Sequence, residues 1–375
     1  MNKVLVIFGT RPEVIKLAPV IAAMRGAYTV RVCNTGQHRE MSHQVMQTFN
    51  LVADRNLEIM ISNQNLVDVS AKVLVGVKDE VEEFRPDLIM VQGDTTSAMA
   101  AALAGFYLRV PVVHVEAGLR TASVAAPFPE ELNRRLISQM AKHHFAPTLQ
   151  ARACLEAEGI PTTAITVTGN TVVDVLFQNI ERARSQSFSP LVIGEASFLA
   201  DLDTSNDKVV LVTLHRRENF GTGIESICNA LRVIAQRYPD IQIVFPVHRN
   251  PNVSEPVHEA VGGVPNISLL TPLDYLEFLK LLDLSYLVLT DSGGVQEEAP
   301  SLGKPVLVMR DETERSEGID AGTAKLVGTS SGSIVAGVEA LLQDNDHYQN
   351  MANCHNPYGD GTAAERIVAV LPKLF

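Results

Sequence analysis

Carboxylates that follow short apolar runs are the residues best suited to chemistry in this sequence. Three acidic sites stand in such places: Asp94, Glu116 and the pair Glu130-Glu131. A carboxylate at the carboxyl end of a strand can act as a general base when burial or a nearby charge raises its pKa toward neutrality. Asp94 could instead cap a helix beginning at Thr95, whereas Glu116 has no such structural role. Together these sites suggest proton transfer.

Two strand-to-helix turns are suited to bind phosphate. In Gly9-Thr10-Arg11-Pro12-Glu13 the proline fits the first helical position, and Arg11 and Lys16 would reinforce the free amides. In Asp291-Ser292-Gly293-Gly294 the glycines let a diphosphate approach the backbone, and the Ser292 hydroxyl adds a donor. A capped helix with a solvated lysine is the alternative for the first turn.

Further groups follow the second pair of apolar runs. Glu298 lies about one turn into the helix after Gly294, where a carboxylate could bind both hydroxyls of a ribose or complement the helix dipole. His215 is followed by two arginines and is joined later by His248 and Arg315. Such cationic groups could neutralise a departing diphosphate. Surface ion pairs are the alternative for the two arginines after His215.

Several catalytic patterns are missing from the sequence. It contains no G-x-G-x-x-G after the first apolar run, no P-loop and no G-x-S-x-G. No histidine pair has metal-ligand spacing with a nearby glutamate. We therefore expect neither a metal nor a cofactor. The spacing indicates an enzyme that acts on a nucleotide diphosphate compound by acid–base chemistry.

These side chains need parallel strands to position them. Apolar runs such as Lys3–Phe8, Leu88–Val91 and Lys208–Thr213 alternate with stretches of helical period, which predicts parallel strands joined by helical crossovers. Asp87–Val115 and Ser285–Met309 show the same order of strand, polar turn, helix and proline-led strand. We predict an α/β protein with two doubly wound domains, whose motifs lie beyond the carboxyl ends of the strands and face one cleft.

Composition agrees with this architecture and excludes other classes. The 375 residues exceed the size of one ordinary domain, and 46% of them are hydrophobic. The net charge of −12 is the wrong sign for a nucleic-acid-binding protein. The four cysteines form no C-x-x-C pair, and no apolar stretch is long enough to cross a bilayer. We expect a cytoplasmic protein with reduced thiols, no membrane partner and no nucleic-acid partner.

The motifs resemble those of the non-hydrolysing UDP-N-acetylglucosamine 2-epimerases of bacteria. Matching stretches run from Phe8 to Gly361 and include FGTRPEVIKLAP, GQHREM, GDTTSAMAA, HVEAGLRT, PFPEELNRR, VTGNTVVD, HRRENFG, PVHRNPNV, TDSGGVQEEAPSLGKPVLVMRDETER and HNPYGDG. The resemblance implies a GT-B arrangement of two Rossmann-like domains, at residues 1–172 and 173–359, with a C-terminal helix at 360–375 packing back on the first. It also implies a homodimer.

The resemblance further implies roles for individual residues. Catalytic roles fall on Asp94, Glu116, Glu130 and His215. Binding of the UDP-sugar falls on Arg11, Lys16, Ser292, Gly293, Gly294, Glu298 and Arg315. Many family members also bind a second UDP-N-acetylglucosamine as an activator, which implies an activator site at Gln37, His38, Gln64 and His248. Asn63 stands where the family carries a basic residue at this site.

The family interconverts UDP-N-acetylglucosamine and UDP-N-acetylmannosamine, an activated sugar for surface polysaccharide. UDP leaves C1 as the C2 proton is removed, giving 2-acetamidoglucal, and adds back as C2 is reprotonated on the opposite face. Two related activities remain open: a hydrolysing epimerase releasing N-acetylmannosamine and UDP, and an epimerase for a UDP-2,3-diacetamido uronic acid. A GT-B glycosyltransferase and a non-catalytic nucleotide-sugar sensor are less well supported by the motifs.

Overall fold

The computed structural model describes residues 1–37, 45–61, 64–186 and 208–375, and the backbone of 192–193. The chain divides into two compact units. Unit 1 comprises Met1–Val175 and Tyr358–Phe375, and unit 2 comprises Leu176–Pro357.

Unit 1 is built on a parallel sheet with strand order β3-β2-β1-β4-β5-β6-β7 within the described residues. Central strands such as β1 and β4 are buried along nearly their whole length, which explains their continuous β-branched and aliphatic sequences. The strands are β1 (Lys3–Phe8), β2 (Thr29–Asn34), β3 (Arg55–Asn56), β4 (Leu88–Gln92), β5 (Val112–Val115), β6 (His143–Ala146) and β7 (Ile165–Val167).

Helices connect the strands of unit 1 and pack on the sheet. Proline at the second helical position and a capping box at Thr10 and Glu13 begin the first helix. The last helix of the chain packs against the first. The helices are α1 (Arg11–Met24), α2 (Leu66–Phe84), α3 (Thr96–Tyr107), α4 (Glu130–Met140), α5 (Leu149–Ala157), α6 (Thr171–Ser185), which continues into unit 2, and α14 (Ala363–Val370).

Unit 2 repeats the architecture with the order β14-β13-β12-β9-β10-β11-β8 within the described residues, and only its edge strand β8 pairs in antiparallel fashion there. Its strands are β8 (Val192–Ile193), β9 (Lys208–Thr213), β10 (Ile241–Pro246), β11 (Ile267–Leu270), β12 (Leu287–Thr290), β13 (Val306–Val308) and β14 (Ala324–Leu326). Its helices are α7 (Thr222–Arg237), α8 (Pro251–Val261), α9 (Tyr275–Leu284), α10 (Gly293–Glu298), α11 (Ser316–Asp320), α12 (Ser331–Gln343) and α13 (Asn345–Ala352).

The strand order decides where polar residues meet. In unit 1 the order reverses between β1 and β4, and in unit 2 it reverses between β9 and β12. Open α/β sheets bind ligands beyond the carboxyl ends of the strands at such switch points. The turns after β1 and β4 carry Arg11 and Asp94, and those after β9 and β12 carry His215 and Ser292. The prediction of two doubly wound α/β units is confirmed.

The described residues contain neither a candidate membrane-spanning helix nor a candidate metal site. No helix there is long and apolar enough to cross a membrane. No group of three or more His, Cys, Asp or Glu side chains is arranged there to hold a metal ion. None of the four cysteines, all of which lie in the described residues, forms a disulfide bond.

Candidate active site

Three hydrogen-bond donors and an unusual backbone conformation position the Glu116 carboxylate. Glu116 follows β5 with a φ of 63°, in the left-handed region that a non-glycine residue adopts only when its surroundings enforce it. Its Oε2 accepts from Lys16 Nζ at 2.5 Å, from Gln92 Nε2 at 3.0 Å and from Asn170 Nδ2 at 3.2 Å. Both ends of the Lys16–Glu116 ion pair are more than nine-tenths buried. The backbone and these donors together define the position of this carboxylate.

Lys16, for which a role in UDP-sugar binding is predicted, forms an ion pair with Glu116. Its ammonium group lies on Glu116, and it is 6% exposed. A buried ammonium in contact with a carboxylate stabilises the ionised carboxylate. The contact therefore makes Lys16 a partner of the proposed base.

Asp94 follows β4 and contacts the helix that carries Glu130. Its carboxylate lies 3.1 Å from Arg134 Nη2, and its backbone carbonyl accepts from Asn133 Nδ2 at 2.9 Å. The alternative that Asp94 caps a helix is wrong, because α3 begins at Thr96 and the Thr95 hydroxyl accepts from the Ala98 N–H. The Asp94 carboxylate is therefore not used as a cap.

Adjacent glutamates at the start of α4 have different environments. Glu131 is fully buried and accepts from the Thr121 N–H at 3.0 Å and from Arg135 Nε at 2.7 Å. Glu130 is only partly buried. The contacts assign a structural role to Glu131 and leave Glu130 as the catalytic candidate of the pair.

Glu13, a carboxylate to which the sequence assigned no role, joins two turns at the switch point of unit 1. Its Oε2 accepts from the N–H groups of Gly9 and Thr10 at 3.0 and 2.7 Å, and its Oε1 accepts from the Thr95 hydroxyl at 2.7 Å. Burial raises the pKa of Glu13 to about 7, against the opposing effect of these donors. Glu13 thus links the turn that carries Arg11 with the turn that carries Asp94.

The raised pKa of Glu13 predicts a pH-dependent stability. Because the folded-state pKa exceeds the ordinary value of 4.5, the folded protein binds more protons than the unfolded chain between those two pH values. The free energy of unfolding should therefore fall as pH rises through this window. Glu13→Gln, an isostere of the protonated form, should reduce the fall between pH 5 and pH 8 by about 2–3 kcal/mol.

Denaturant unfolding at several pH values would measure this effect. The exposed Glu365 provides a matched control, since Glu365→Gln changes the same functional group at the surface and should keep the wild-type slope. Equal pH slopes for the wild type and Glu13→Gln would contradict the assignment.

Gln37 and Gln64, two of the residues predicted for the activator site, form hydrogen bonds with different segments of unit 1. Gln37 Oε1 accepts from the Ser97 hydroxyl at 2.7 Å, close to Gly9 at the end of β1. Gln64 Oε1 accepts from the Ile61 N–H at 3.3 Å, next to the start of α2. His38 and Asn63 lie outside the described residues.

In unit 2, Asp291 organises the segment that contains His215. It is fully buried after β12 and accepts from the backbone N–H groups of His215 and Arg216 and from Asn219 Nδ2. His215 Nδ1 also lies 3.0 Å from Asp291 Oδ1. The contact of His215 lowers the pKa of Asp291, although burial acts in the opposite direction. A buried carboxylate at Nδ1 fixes the orientation of the His215 ring and sets the tautomer of the imidazole.

Arg315 lies against the glycine turn after β12. A Cβ on Gly293 would stand 2.5 Å from Arg315 Cζ, so only glycine leaves room for this guanidinium group. Arg315 Nε donates to Glu297 Oε1 at 3.0 Å, and its Nη1 also bonds Glu314. Gly294, in contrast, has no heavy atom of the described residues within 4 Å of its Cβ position, apart from its chain neighbours and its own helix backbone. The two glycines therefore serve different purposes: one admits Arg315, and the other leaves open space.

The other predicted residues of unit 2 also have defined partners. Glu298 is the last residue of α10 and accepts from the Tyr275 hydroxyl at 3.1 Å. Its alternative role as a complement to the positive end of the helix dipole is wrong, because it lies at the opposite end. The ring of His248 stacks near that of His215, with centroids 6.2 Å apart. His248 is thus placed beside the proposed catalytic histidine.

Sequence reasoning missed the residues that hold the predicted groups. Glu13, Gln92, Asn170, Tyr275 and Asp291 each hydrogen-bond a predicted residue or the turn that carries it. Three of the five, Gln92, Asn170 and Asp291, lie at or within four residues of a strand's carboxyl end. That position was an available signal, but it does not specify which partner each residue contacts.

The fold and these side chains define an α/β enzyme with carboxylates at the switch point of one unit and a glycine turn with an arginine in the other. The sequence profile of the UDP-N-acetylglucosamine 2-epimerases matches residues 22–372. The UDP-N-acetylglucosamine 2-epimerase of Yersinia pestis is 53% identical over 371 residues, which cover 98% of each chain. The chain belongs to the UDP-N-acetylglucosamine 2-epimerase family.

Solved structures agree with this assignment. The UDP-GlcNAc 2-epimerase of Neisseria meningitidis bound to UDP-GlcNAc has a TM-score of 0.92 at 44% identity, covering 99% of this chain and 100% of the other. The Methanocaldococcus jannaschii enzyme in complex with UDP-GlcNAc and UDP has a TM-score of 0.85 at 34% identity, covering 99% of both chains.

Proposed function

We propose that this protein epimerises UDP-N-acetylglucosamine at C2 and forms UDP-N-acetylmannosamine reversibly. The observation that carries the proposal is the buried Lys16–Glu116 pair at the carboxyl end of β5, in a chain related over nearly its whole length to enzymes of that name. In this proposal the carboxylates of unit 1 transfer protons, and the polar groups of unit 2 bind UDP. No redox cofactor enters this reaction.

The carboxylates supply the proton transfers. One of them accepts the C2 proton, the C1–O bond breaks with its electron pair leaving on UDP, and a double bond forms between C1 and C2. A second carboxylic acid then delivers a proton to the opposite face of C2 while UDP oxygen bonds C1 again. Glu116, held in ionic contact with Lys16, suits the role of base, and Asp94 and Glu130 suit the other proton transfers.

Charge on the departing UDP is stabilised by unit 2 in this proposal. His215 and Arg315 lie beside the turn of Ser292–Gly294, and both are oriented by buried carboxylates, Asp291 and Glu297. Preorganised donors of this kind stabilise developing charge without reorganising during the reaction. Glu298, fixed by Tyr275, is placed to accept from the ribose hydroxyls.

The two glycines offer a test of UDP binding at this turn. Gly293→Ala should displace the Arg315 guanidinium and lower both stability and UDP affinity, because the new Cβ would lie 2.5 Å from Arg315 Cζ. Gly294→Ala should leave the free energy of unfolding unchanged or raise it by up to ~1 kcal/mol, since alanine is favoured over glycine in a helix. It should nevertheless weaken UDP binding, because its methyl group would fill the space that the diphosphate needs.

Thermal unfolding and calorimetric titration with UDP would measure both variants. Gly294→Ala serves as the stability control for Gly293→Ala, and wild-type UDP affinity in Gly294→Ala would exclude the turn as the diphosphate site.

Proton NMR of UDP-N-acetylglucosamine incubated with the protein in deuterated water tests the reaction itself. We expect the epimer to appear with deuterium at C2, because the intermediate lacks that proton. Retention of the original proton in the epimer would contradict elimination. Free N-acetylmannosamine together with UDP would instead identify a hydrolysing enzyme.

We propose a cytoplasmic location and a homodimeric state for the protein. The absence of a disulfide among the four cysteines supports the location, since disulfides are rare in reducing compartments. The dimer is supported by family resemblance. Light scattering at low micromolar concentration would show a molecular mass near twice that of one chain, and a single-chain mass would contradict the dimer.

A further inference from the structure

Asn170, just after β7, connects Glu116 to the place where the chain returns to unit 1. It is 2% exposed and precedes α6 directly. Its Oδ1 accepts from the Val172 N–H at 3.1 Å, which is the bond of a helix N-cap. Because that bond identifies the oxygen, the other amide atom facing Glu116 Oε2 at 3.2 Å is the donating nitrogen.

The backbone of Asn170 is held as firmly as its side chain. Its N–H donates to the Tyr358 carbonyl at 2.6 Å, at the first residue of the returning segment of unit 1. Gly169, with a φ of 88°, lies against Gly359, whose Cα would be 3.3 Å from any Cβ on Gly169. The close approach of two glycines therefore fixes the returning segment on the turn that precedes α6.

Asp174 provides a second connection between the same two segments, through hydrogen bonds that do not involve Glu116. Asp174, one turn into α6, accepts from the N–H groups of Ala363 and Ala364 at 3.1 and 2.8 Å. These bonds hold the start of α14. Asp174, like Asn170, joins α6 to the returning segment, but only Asn170 of the two also bonds the Glu116 carboxylate.

We infer that Asn170 is a positioning residue for the reaction, which aligns the Glu116 carboxylate through its amide and takes its own position from the Tyr358 carbonyl. The inference rests on the proposed function, since it requires Glu116 to transfer a proton. Three donors on one oxygen restrict the carboxylate more than the Lys16 pair could alone, and small displacements of a reacting group have large effects on rate. Of these donors, Asn170 is the one whose own backbone N–H bonds the Tyr358 carbonyl.

Substitutions that keep the helix cap separate positioning from folding. Asn170→Asp and Asn170→Ser both retain an oxygen for the Val172 N–H, but neither retains the amide donor to Glu116. We expect kcat to fall about tenfold or more in both, with KM within about threefold of wild type and melting temperatures close to it.

In Asn170→Asp the acidic limb of the kcat/KM profile should also move to higher pH, because a second carboxylate beside Glu116 disfavours its ionisation. Lys16, which forms an ion pair with Glu116, is unchanged in both variants.

Asp174→Asn is the matched control, since it weakens only the hydrogen bonds between α6 and the start of α14. It should lower the melting temperature while keeping the wild-type kcat and pH profile. Wild-type kcat in Asn170→Ser, or a pH profile of Asn170→Asp that matches the wild type, would overturn the inference. If the wild-type enzyme itself produces no epimer, the proposed function fails, and this outcome is distinguishable from failure of the positioning role alone.

Discussion

Glu116→Gln should lower turnover at least ~10²-fold, the usual contribution of a general acid–base group. The amide keeps the size of the side chain and can still accept a hydrogen bond from Lys16, but it cannot take up the C2 proton. Exchange of that proton with solvent deuterium should fall by the same factor. Initial rates of epimer formation and deuterium incorporation, both followed by NMR, would measure the two effects.

UDP binding distinguishes this effect from damage to the fold. Since Glu116 is assigned to proton transfer and not to UDP binding, calorimetric affinity for UDP should be unchanged in Glu116→Gln. Asp94→Asn and Glu130→Gln should reduce turnover on a similar scale, whereas Glu131→Gln should chiefly reduce stability, because Glu131 accepts bonds within a buried site. Near-normal turnover in Glu116→Gln would exclude it as an acid–base group.

Arg315→Ala should have the second-largest effect, acting on stability and on UDP binding together. The guanidinium group is shared by the buried carboxylates of Glu297 and Glu314. Removing one partner of a buried ion pair costs about 3–5 kcal/mol, since it leaves a charge without compensation. Loss of a charged donor to the diphosphate should also weaken UDP binding about tenfold or more.

The stabilisation by added UDP separates the two roles of Arg315. A ligand raises the free energy of unfolding according to its concentration relative to its Kd, so a fixed UDP concentration should stabilise the variant less than the wild type. Arg237→Ala is a control from the same unit, because its pair with Glu339 is exposed and should contribute at most about 1 kcal/mol. Equal stabilisation by UDP in Arg315→Ala and wild type would restrict Arg315 to a structural role.

Much of the fold could be predicted from local sequence. The runs Lys3–Phe8 and Lys208–Thr213 were predicted as strands and have those bounds in the structure. The helix predicted to begin at Thr95 covers Thr96–Tyr107. Buried parallel strands need continuous β-branched and aliphatic residues, and crossover helices need amphipathic ones, so both patterns are legible in a single sequence.

The sequence by itself also determined which residues stand at the carboxyl ends of the strands. Such positions are local: a polar residue directly after an apolar run emerges there in any parallel sheet. Asp94, Glu116, His215 and Ser292 could therefore be identified as site candidates before any contact was known.

Only the tertiary structure decided which groups touch. Lys16 and Glu116 are 100 residues apart in the chain, and His215 and Asp291 are 76 apart. Their meeting depends on strand order, on the φ of Glu116 and on side-chain rotamers, none of which is encoded in local periodicity. For the same reason Thr95 rather than Asp94 caps α3, and Gly293 makes room for Arg315 as well as for a ligand. Residue type and position follow from the chain's local pattern, whereas partnership follows from the packing of distant segments.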